Sequence, residues 1–308
     1  VGHKHHSHDD PSKMGERRLL LAVGVNVLLT LVQVVGGIVS GSLSLMADAL
    51  HNFSDAASLL IALVAIRVGR NPPDQFKTFG YKRAETIAAL INLTTLIMIG
   101  LYLCYEAIMR FITPEPITGW TVIMVAAVAL IVDVVTALLT YSQSKNSMNI
   151  KAAFLHNVTD ALASVGVILA GTFILLFNWL WTDAAVTLLI SGYVLYYGFK
   201  EIPKVIHLLM EGTPEGIKID MVISAMEEIE GVVNIHHVHV WQLDEHRNAL
   251  EAHVLISSVA SIENVKAALK GMLHSYAITH STLEFEFSEC EKSDDCSPCV
   301  NGNRSCQD

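Results

Sequence analysis

The sequence predicts an α-helical membrane protein of six transmembrane helices, followed by a small cytosolic α+β domain of α-β-β-α-β order, ferredoxin-like in type. Three observations predict it. Hydrophobic residues make up 52% of the 308 and charged residues only 16%, against roughly 25% charged in a soluble globular protein. That balance nearly rules out a water-soluble enzyme of this size. The charges are also segregated: residues 1–211 carry 14 acids and 14 bases, whereas residues 212–308 carry 16 acids and 6 bases. The whole net charge of −10 therefore sits in the last third. Finally, six segments match the apolar length, about 20 residues, that crosses ~30 Å of hydrocarbon. An acidic chain offers nothing basic to neutralise phosphates, so nucleic acid is not an expected partner; the lipid bilayer is.

Taken in order, residues 1–16 are a His-rich cytosolic segment and residues 17–211 the membrane domain. Its spans are Leu19–Val39, Leu43–Ile66, Ala84–Phe111, Trp120–Leu139, Ala152–Phe177 and Ala184–Phe199. The first lacks the short apolar core and small-residue cleavage site of a signal peptide, so it reads as a span. Lys13, Arg17 and Arg18 precede it, and Arg67, Arg70, Lys77, Lys82 and Arg83 lie around the second connection. Lys145 and Lys151 flank the fourth connection, and Lys200 and Lys204 follow the sixth span. The opposite connections hold no base, with only Arg110 near one. Positive charge stays on the cytosolic side, which places both termini in the cytosol.

Residues 212–288 form the soluble domain. Thr213–Pro214 reads as a helix start, a capping hydroxyl with proline in the first turn. Ile217, Met221, Val222, Met226 and Ile229 then recur at helical spacing up to Gly231. Val232–Leu243 and Ala249–Ile256 read as strands joined through the polar turn Asp244–Asn248. Ser261 caps a second helix with Ile262, Val265, Leu269, Met272 and Leu273 on one face, and Ile278–Phe287 is the last strand. Residues 289–308 are a polar, cysteine-rich tail.

Ionisable groups in membrane spans cost about 2.5–3.5 kcal/mol each on insertion scales and call for a reason. The second span contains His51-Asn52-Phe53-Ser54-Asp55-Ala56 and the fifth His156-Asn157-Val158-Thr159-Asp160-Ala161. His and Asp at i and i+4 project from one helical face. Two such faces supply two imidazoles and two carboxylates, a donor set that suits tetrahedral Zn²⁺ and neutralises the dication. The competing reading, helix-to-helix hydrogen bonding, explains one such pair more readily than two matching ones. Asp48, seven residues before Asp55 on roughly the same face, reads as a proton relay, an entrance carboxylate or a structural group. Asp133 and Asp183 have no assignment.

The paired His-x-x-x-Asp spans, the Phe79-Gly80-Tyr81-Lys82-Arg83-Ala84-Glu85 run, six helices and the α-β-β-α-β tail together resemble the cation diffusion facilitator family, in its zinc-transporting branch. The likeness covers roughly residues 19–287. It implies a homodimer that exports Zn²⁺ from the cytosol in exchange for H⁺ by alternating access, and no enzymatic step. It also implies pairing of Arg83 with Glu211 between membrane and soluble domains. Unlike many relatives, the connection Ser142–Ile150 carries no histidine, nor does Asn71–Lys77, so no metal is expected at either loop. The missing histidine loop favours a plasma (inner) membrane over an organelle membrane.

Strand alternation sorts the cytosolic ligands. Leu250, Ala252, Val254 and Ile256 share one face, leaving Glu251 and His253 on the other. Leu283, Phe285 and Phe287 point inward, leaving His280, Glu284 and Glu286 outward. His253, His280 and Glu286 are thereby expected on the sheet's open face. In the first strand, His236 lies on one face and His237 and His239 on the other; the family likeness favours His236. Solvated surface histidines are the competing reading, above all for His237, His246 and His274. These sites would make zinc structural or regulatory as well as cargo. Five cysteines in a reducing compartment do not make a disulfide framework. Cys104, in the third span, reads as a small buried apolar side chain. Cys296-Ser-Pro-Cys299 reads as a metal clamp, with a thiol-redox pair as the alternative. His5 and His6 in the amino-terminal run are candidates to share that site across a dimer.

Two rival functions stand beside transport. A membrane-embedded zinc protease wants His-Glu-x-x-His, which is absent, and a hydroxylase wants many clustered histidines, whereas only His51 and His156 lie within spans. A membrane-anchored zinc sensor leaves the duplicated intramembrane motif unexplained.

Overall fold

The computed structural model describes residues 11–144, 148–244, 247–257 and 262–287. The chain forms two compact units, one comprising residues up to 63 with 91–202, the other residues 64–90 with those from 203 onward.

Six long helices supply the first unit: α1 (Pro11–Ser40), α2 (Leu43–Gly69), α3 (Arg83–Ile112), α4 (Gly119–Ser144), α5 (Met148–Phe177) and α6 (Trp181–Leu209), with the ends of α2, α3 and α6 belonging to the second. Among the described residues, four helices are by themselves long and apolar enough to cross a membrane: α2, α3, α4 over Gly119–Leu138, and α5 over Phe154–Phe177. α1 contributes the described apolar stretch Val27–Ser40. α6 runs past the expected apolar segment and carries Lys200, Glu201 and Pro203 in its last third. The surface is apolar: Leu28, Leu60, Met98, Ile131, Leu162 and Leu189 are all more than half exposed. Such a belt suits lipid rather than water. The chain is a multi-pass membrane protein.

The interior inverts that order. Small residues such as Ala47, Ala107, Ala126, Ala129 and Ala170 are buried, together with Gln33, Asp48, Asp133, Asp160, Asp183 and Ser191. Small side chains let helices approach closely in a bilayer. A Cβ added at Gly119 on α4 would lie 2.8 Å from the Gly171 carbonyl oxygen on α5, and one at Gly36 on α1 would lie 2.8 Å from Val125 Cγ2 on α4.

α2 begins with a cap assembled from two parts of the chain. Gly41 turns the backbone in the left-handed region at φ +71°. The Ser42 hydroxyl accepts from the Leu45 amide at 3.1 Å. Asp183 of α6, fully buried, accepts from the Leu43 amide at 2.7 Å and from the Ser44 amide at 3.3 Å. The first free amides of a helix need partners, and a distant carboxylate supplies two of them here.

In the second unit, α7 (Ile219–Glu227) and α8 (Ile262–Ser275) cover one face of a three-stranded sheet ordered β1 (Val232–Asp244), β2 (Arg247–Ile256), β3 (Ile278–Glu286). β1 and β2 pair antiparallel; β2 and β3 pair parallel, the crossover being α8. The core joins Val222 and Met226 of α7, Val265, Leu269 and Leu273 of α8, and Leu250, Ala252, Val254 and Ile256 of β2. The opposite face of the sheet carries the polar ligands.

Three expectations are corrected here. Thr213–Pro214 does not start a helix: α7 begins at Ile219, with Lys218 at the cap position and no side-chain cap bond. Gly216 at φ +88° turns the chain in between, which no continuing right-handed helix permits. Phe287 does not point into the core; it is 64% exposed, just beyond the end of β3. The histidines of β1 do not split between faces. His236 pairs with His253 and His239 with Glu251, so three steps along β1 match two along β2, a bulge centred on His237 at φ +50°. Ile235, Val238 and Val240 all enter the core, which leaves His236, His237 and His239 outside it. The cap expected at Ser261 lies outside the described residues.

Candidate metal centres

The His-x-x-x-Asp faces of α2 and α5 meet inside the membrane unit. His51 Nε2 lies 3.7 Å from Asp55 and 3.6 Å from Asp160; His156 Nε2 lies 3.1 Å from Asp55 and 3.4 Å from Asp160. Zn–N and Zn–O bonds of about 2.0–2.2 Å give a tetrahedron with edges of about 3.3–3.6 Å. All four N–O separations fall within a few tenths of that length. Asp160 turns a different oxygen to each imidazole. His51, His156 and Asp160 each present one ligand atom within 4.8 Å of the others, and Asp55 joins through its contacts with both imidazoles. Asp55 Oδ2 and Asp160 Oδ1 are buried and take no hydrogen bond. A buried acceptor left so costs ~1–3 kcal/mol, a cost that a bound dication would remove.

A polar network flanks these four residues. Asn52 donates to Gln33 Oε1 at 3.1 Å, and Gln33 Nε2 donates to Asp48 Oδ2 at 2.6 Å. Asp48 is thus held by α1 rather than joining the four-residue cluster. On the other side, Ser164 of α5, one turn beyond Asp160, donates to buried Asp133 of α4 at 3.3 Å. Asp183 is engaged differently: besides the α2 amides it accepts from the Ser42 and Ser44 hydroxyls at 2.6 Å each, with Arg110 3.9 Å away. Arg110 also donates to the Gly41 carbonyl and lies 3.1 Å from Glu115. Asp133 and Asp183 had no sequence assignment because each partner sits on another helix.

A second cluster lies on the open face of the cytosolic sheet. Glu286 bridges two imidazoles, 2.7 Å from His253 Nδ1 and 3.2 Å from His236 Nε2. Glu284 lies 3.5 Å from His253 Nε2. His236, His253 and Glu286 each offer a ligand atom within 4.8 Å of the others. His236 Nε2 and Glu286 Oε2 are buried without a hydrogen-bond partner. The structure does not bring His280 here. Its register partner is Ala249, four residues from His253 along β2, about 13 Å at strand rise. It packs edge-on against Phe79 instead, ring centroids 5.5 Å apart. His237 packs against His239 and His253, each at 4.8 Å between centroids. Burial, and then the neighbouring His239 and His253, hold its pKa below the ordinary histidine value.

Arg83 Nη2 lies 3.2 Å from Glu211 and also donates to the Gln242 carbonyl oxygen at 3.4 Å. Glu211 closes α6 in the left-handed conformation at φ +59°, with the Gly212 amide bonded to the His207 carbonyl at 2.8 Å. Glycine usually fills that position; here a carboxylate occupies it and faces the arginine. Cys296, Cys299, His5 and His6 lie outside the described residues.

Comparison with known proteins agrees with this architecture. Residues 19–210 match the cation efflux transmembrane domain, and residues 214–286 match the cation efflux protein cytoplasmic domain. The chain is 35% identical over 286 residues to the "Cadmium, cobalt and zinc/H(+)-K(+) antiporter" of Bacillus subtilis, covering 91% of each chain. It is 36% identical over 298 residues to zinc transporter ZitB of Escherichia coli, covering 95% of this chain and 94% of that one. It is 34% identical over 307 residues to the metal cation efflux system protein CzcD of Cupriavidus metallidurans, covering 97% of both. These relatives bear the names of transporters, not enzymes. With both domains matched in order and over most of its length, the chain belongs to the cation efflux family of membrane transporters.

Proposed function

We propose that the protein exports Zn²⁺ from the cytosol in exchange for H⁺, binding each ion at His51, Asp55, His156 and Asp160 and exposing that site alternately to the two sides of the membrane. The observation that carries the reading is the set of four imidazole–carboxylate separations of 3.1–3.7 Å across two membrane helices. Two neutral imidazoles and two carboxylates compensate a dication while matching its preferred geometry. The names of the Bacillus antiporter and of ZitB point to the same cargo class and, for the former, to proton exchange.

The chemistry of the donors supplies the coupling. Metal binding needs both histidines neutral and both aspartates ionised, so it displaces whatever protons the four groups hold. Histidine ordinarily titrates near pH 6.5, within reach of physiological gradients. Facing a near-neutral cytosol, the site is free to load zinc. Facing a more acidic exterior, it takes a proton on an imidazole, loses that lone pair and releases the ion. The protonated site then returns and discharges its proton inward. Asp48, which accepts from Gln33 of α1 one turn before His51, serves in this reading as a proton relay.

Around that step the remaining assignments follow. Both termini face the cytosol, the membrane is the plasma membrane, and two chains associate through the cytosolic domain. His236, His253 and Glu286 hold a structural or regulatory zinc, joined by a thiolate site at Cys296 and Cys299 with His5 or His6. Arg83 and Glu211 act as the pivot at the end of α6. Flux of ⁶⁵Zn in reconstituted vesicles tests the central claim. Acid on the releasing side should accelerate transport and acid on the loading side should weaken zinc binding. Zinc flux that ignores an imposed pH gradient overturns the exchange mechanism. Absence of flux with intact binding favours the sensor reading.

A further inference from the structure

α4 and α5 approach closely where Gly119 meets Gly171. Towards their other ends a groove of about 440 Å³ lies between them, walled by hydrocarbon and aromatic side chains. It runs from Leu130 to Tyr141 on α4 and from Val165 back to Phe154 on α5. Eleven residues of helix rise about 16 Å, and one leaflet of a ~30 Å hydrocarbon core is about 15 Å deep. The groove is as long as a leaflet is thick. Its volume falls in the range of about 300–1,000 Å³ typical of ligand sites. Leu138 and Leu162, which line it, are both more than half exposed, so it opens on the lipid-facing surface.

The two ends of the groove differ. At one, the rings of Tyr141 and Phe154 lie 5.6 Å apart between centroids, and tyrosine is favoured at the level of the lipid headgroups. Just past that pair the sequence turns basic: Ser142–Lys151 contains Lys145 and Lys151 and no acid. Lys151 precedes Phe154 by three residues in the first turn of α5, about 4.5 Å of rise. The opposite end, at Leu130 and Val165, is apolar. Hydrocarbon along one leaflet with positive charge at its boundary complements an acyl chain carrying an anionic headgroup.

We propose that the α4–α5 groove seats one acyl chain of an anionic phospholipid, with the phosphate at the level of the first turn of α5. Lysine binds phosphate as a point charge, and basic segments beside a membrane helix attract anionic headgroups. The site backs on the candidate metal centre: Val158 and Ala161 line the groove, and Asp160 lies between them on α5. A chain seated there packs against the turn that carries Asp160. The site stands whether or not the intramembrane residues transport zinc.

Native mass spectrometry of the full-length protein in detergent tests this, with phosphatidylglycerol or phosphatidylcholine of the same chains supplied. The parent should retain one phosphatidylglycerol per chain under activation that strips phosphatidylcholine. Lys151→Gln, which leaves the groove wall intact, should weaken that retention at least fivefold. Val134→Trp puts a bulky ring on the wall and should abolish it, whereas Leu189→Trp, on the exposed surface of α6, should leave it unchanged. Equal retention of both lipids by the parent overturns the proposal. So does a Val134→Trp variant that keeps phosphatidylglycerol as well as Leu189→Trp does. A parent dimer that carries no lipid and is split by Val134→Trp also overturns it, and assigns the groove to a second copy of the chain.

Discussion

Replacing Asp183 by alanine should destabilise the membrane unit more than any single serine change around it. The carboxylate is fully buried and accepts from two hydroxyls at 2.6 Å and from the amides of Leu43 and Ser44 at 2.7 and 3.3 Å. The hydroxyls of Ser42 and Ser44 are 3.3 Å apart and can pair with each other. The two amides have no such alternative at the start of α2. A buried donor left unmet costs ~1–3 kcal/mol, and loss of a negative charge at a helix start adds up to ~2 kcal/mol in a buried setting. Part of this is offset because a carboxylate no longer has to be buried, so a net loss of about 3–5 kcal/mol is expected. At roughly 2–4 °C per kcal/mol for a unit of this size, the melting temperature should fall by about 6–20 °C. Asp183→Asn keeps an acceptor oxygen and should fall between parent and alanine; Ser42→Ala or Ser44→Ala should lie closer to the parent. Thermal unfolding of the purified protein in detergent, followed by tryptophan fluorescence, gives the ranking. An alanine variant melting within about 2 °C of the parent would refute the idea that Asp183 caps α2.

Three further outcomes are expected. His51→Asp makes the intramembrane site harder and more anionic, so Cd²⁺ or Mn²⁺ transport should rise relative to Zn²⁺; unchanged relative rates in vesicles would remove His51 from selectivity. A double reversal, Arg83→Glu with Glu211→Arg, should recover flux lost in either single reversal, and a double variant no better than the singles argues against direct pairing. Asp74 is exposed and its pKa lies below the ordinary value, first because Tyr81 donates to it at 2.6 Å and then because the Lys77 and Phe76 amides do. Its ionised form thus stabilises the folded loop above the ordinary aspartate range, and that contribution disappears as pH falls through the lowered value. Tyr81→Phe should shift the loss of hydrogen-exchange protection at Phe76 and Lys77 to higher pH; an unmoved midpoint contradicts the assignment.

What the sequence made legible was whatever depends on neighbours a few residues apart. His51 with Asp55 and His156 with Asp160 follow from helical spacing alone, and the core face of β2 follows from simple alternation. The failures share a different cause. Asp183 caps a helix whose first residues lie 140 positions earlier, so no local pattern marks it. Parity assigned His280 to the correct side of β3, but its position along the strand depends on register with β2, which the sequence of β3 alone does not encode. The faces of His237 and His239 were misread because one extra residue in a bulge inverts the alternation beyond it. Thr213–Pro214 has the composition of a helix start, yet the left-handed turn at Gly216 comes before any helix.

The close approach of Gly119 to Gly171 and the hold of Asp183 on α2 have a mechanical consequence when taken together. α5, bearing His156 and Asp160, is seated along α4, while α2, bearing His51 and Asp55, is anchored to α6. The four ligands thus straddle the seam between α2 and α5, which Leu45 of α2 and Val167 of α5 also close within one buried apolar cluster. Only two of their contacts cross it, His156 to Asp55 at 3.1 Å and His51 to Asp160 at 3.6 Å. On the proposed exchange, an ion bound there would be a rivet as well as a passenger, and a proton shared between imidazole and carboxylate would stand in as a lighter fastener when the ion departs. One cation or the other would then hold α2 to α5 at each stage of that proposed cycle.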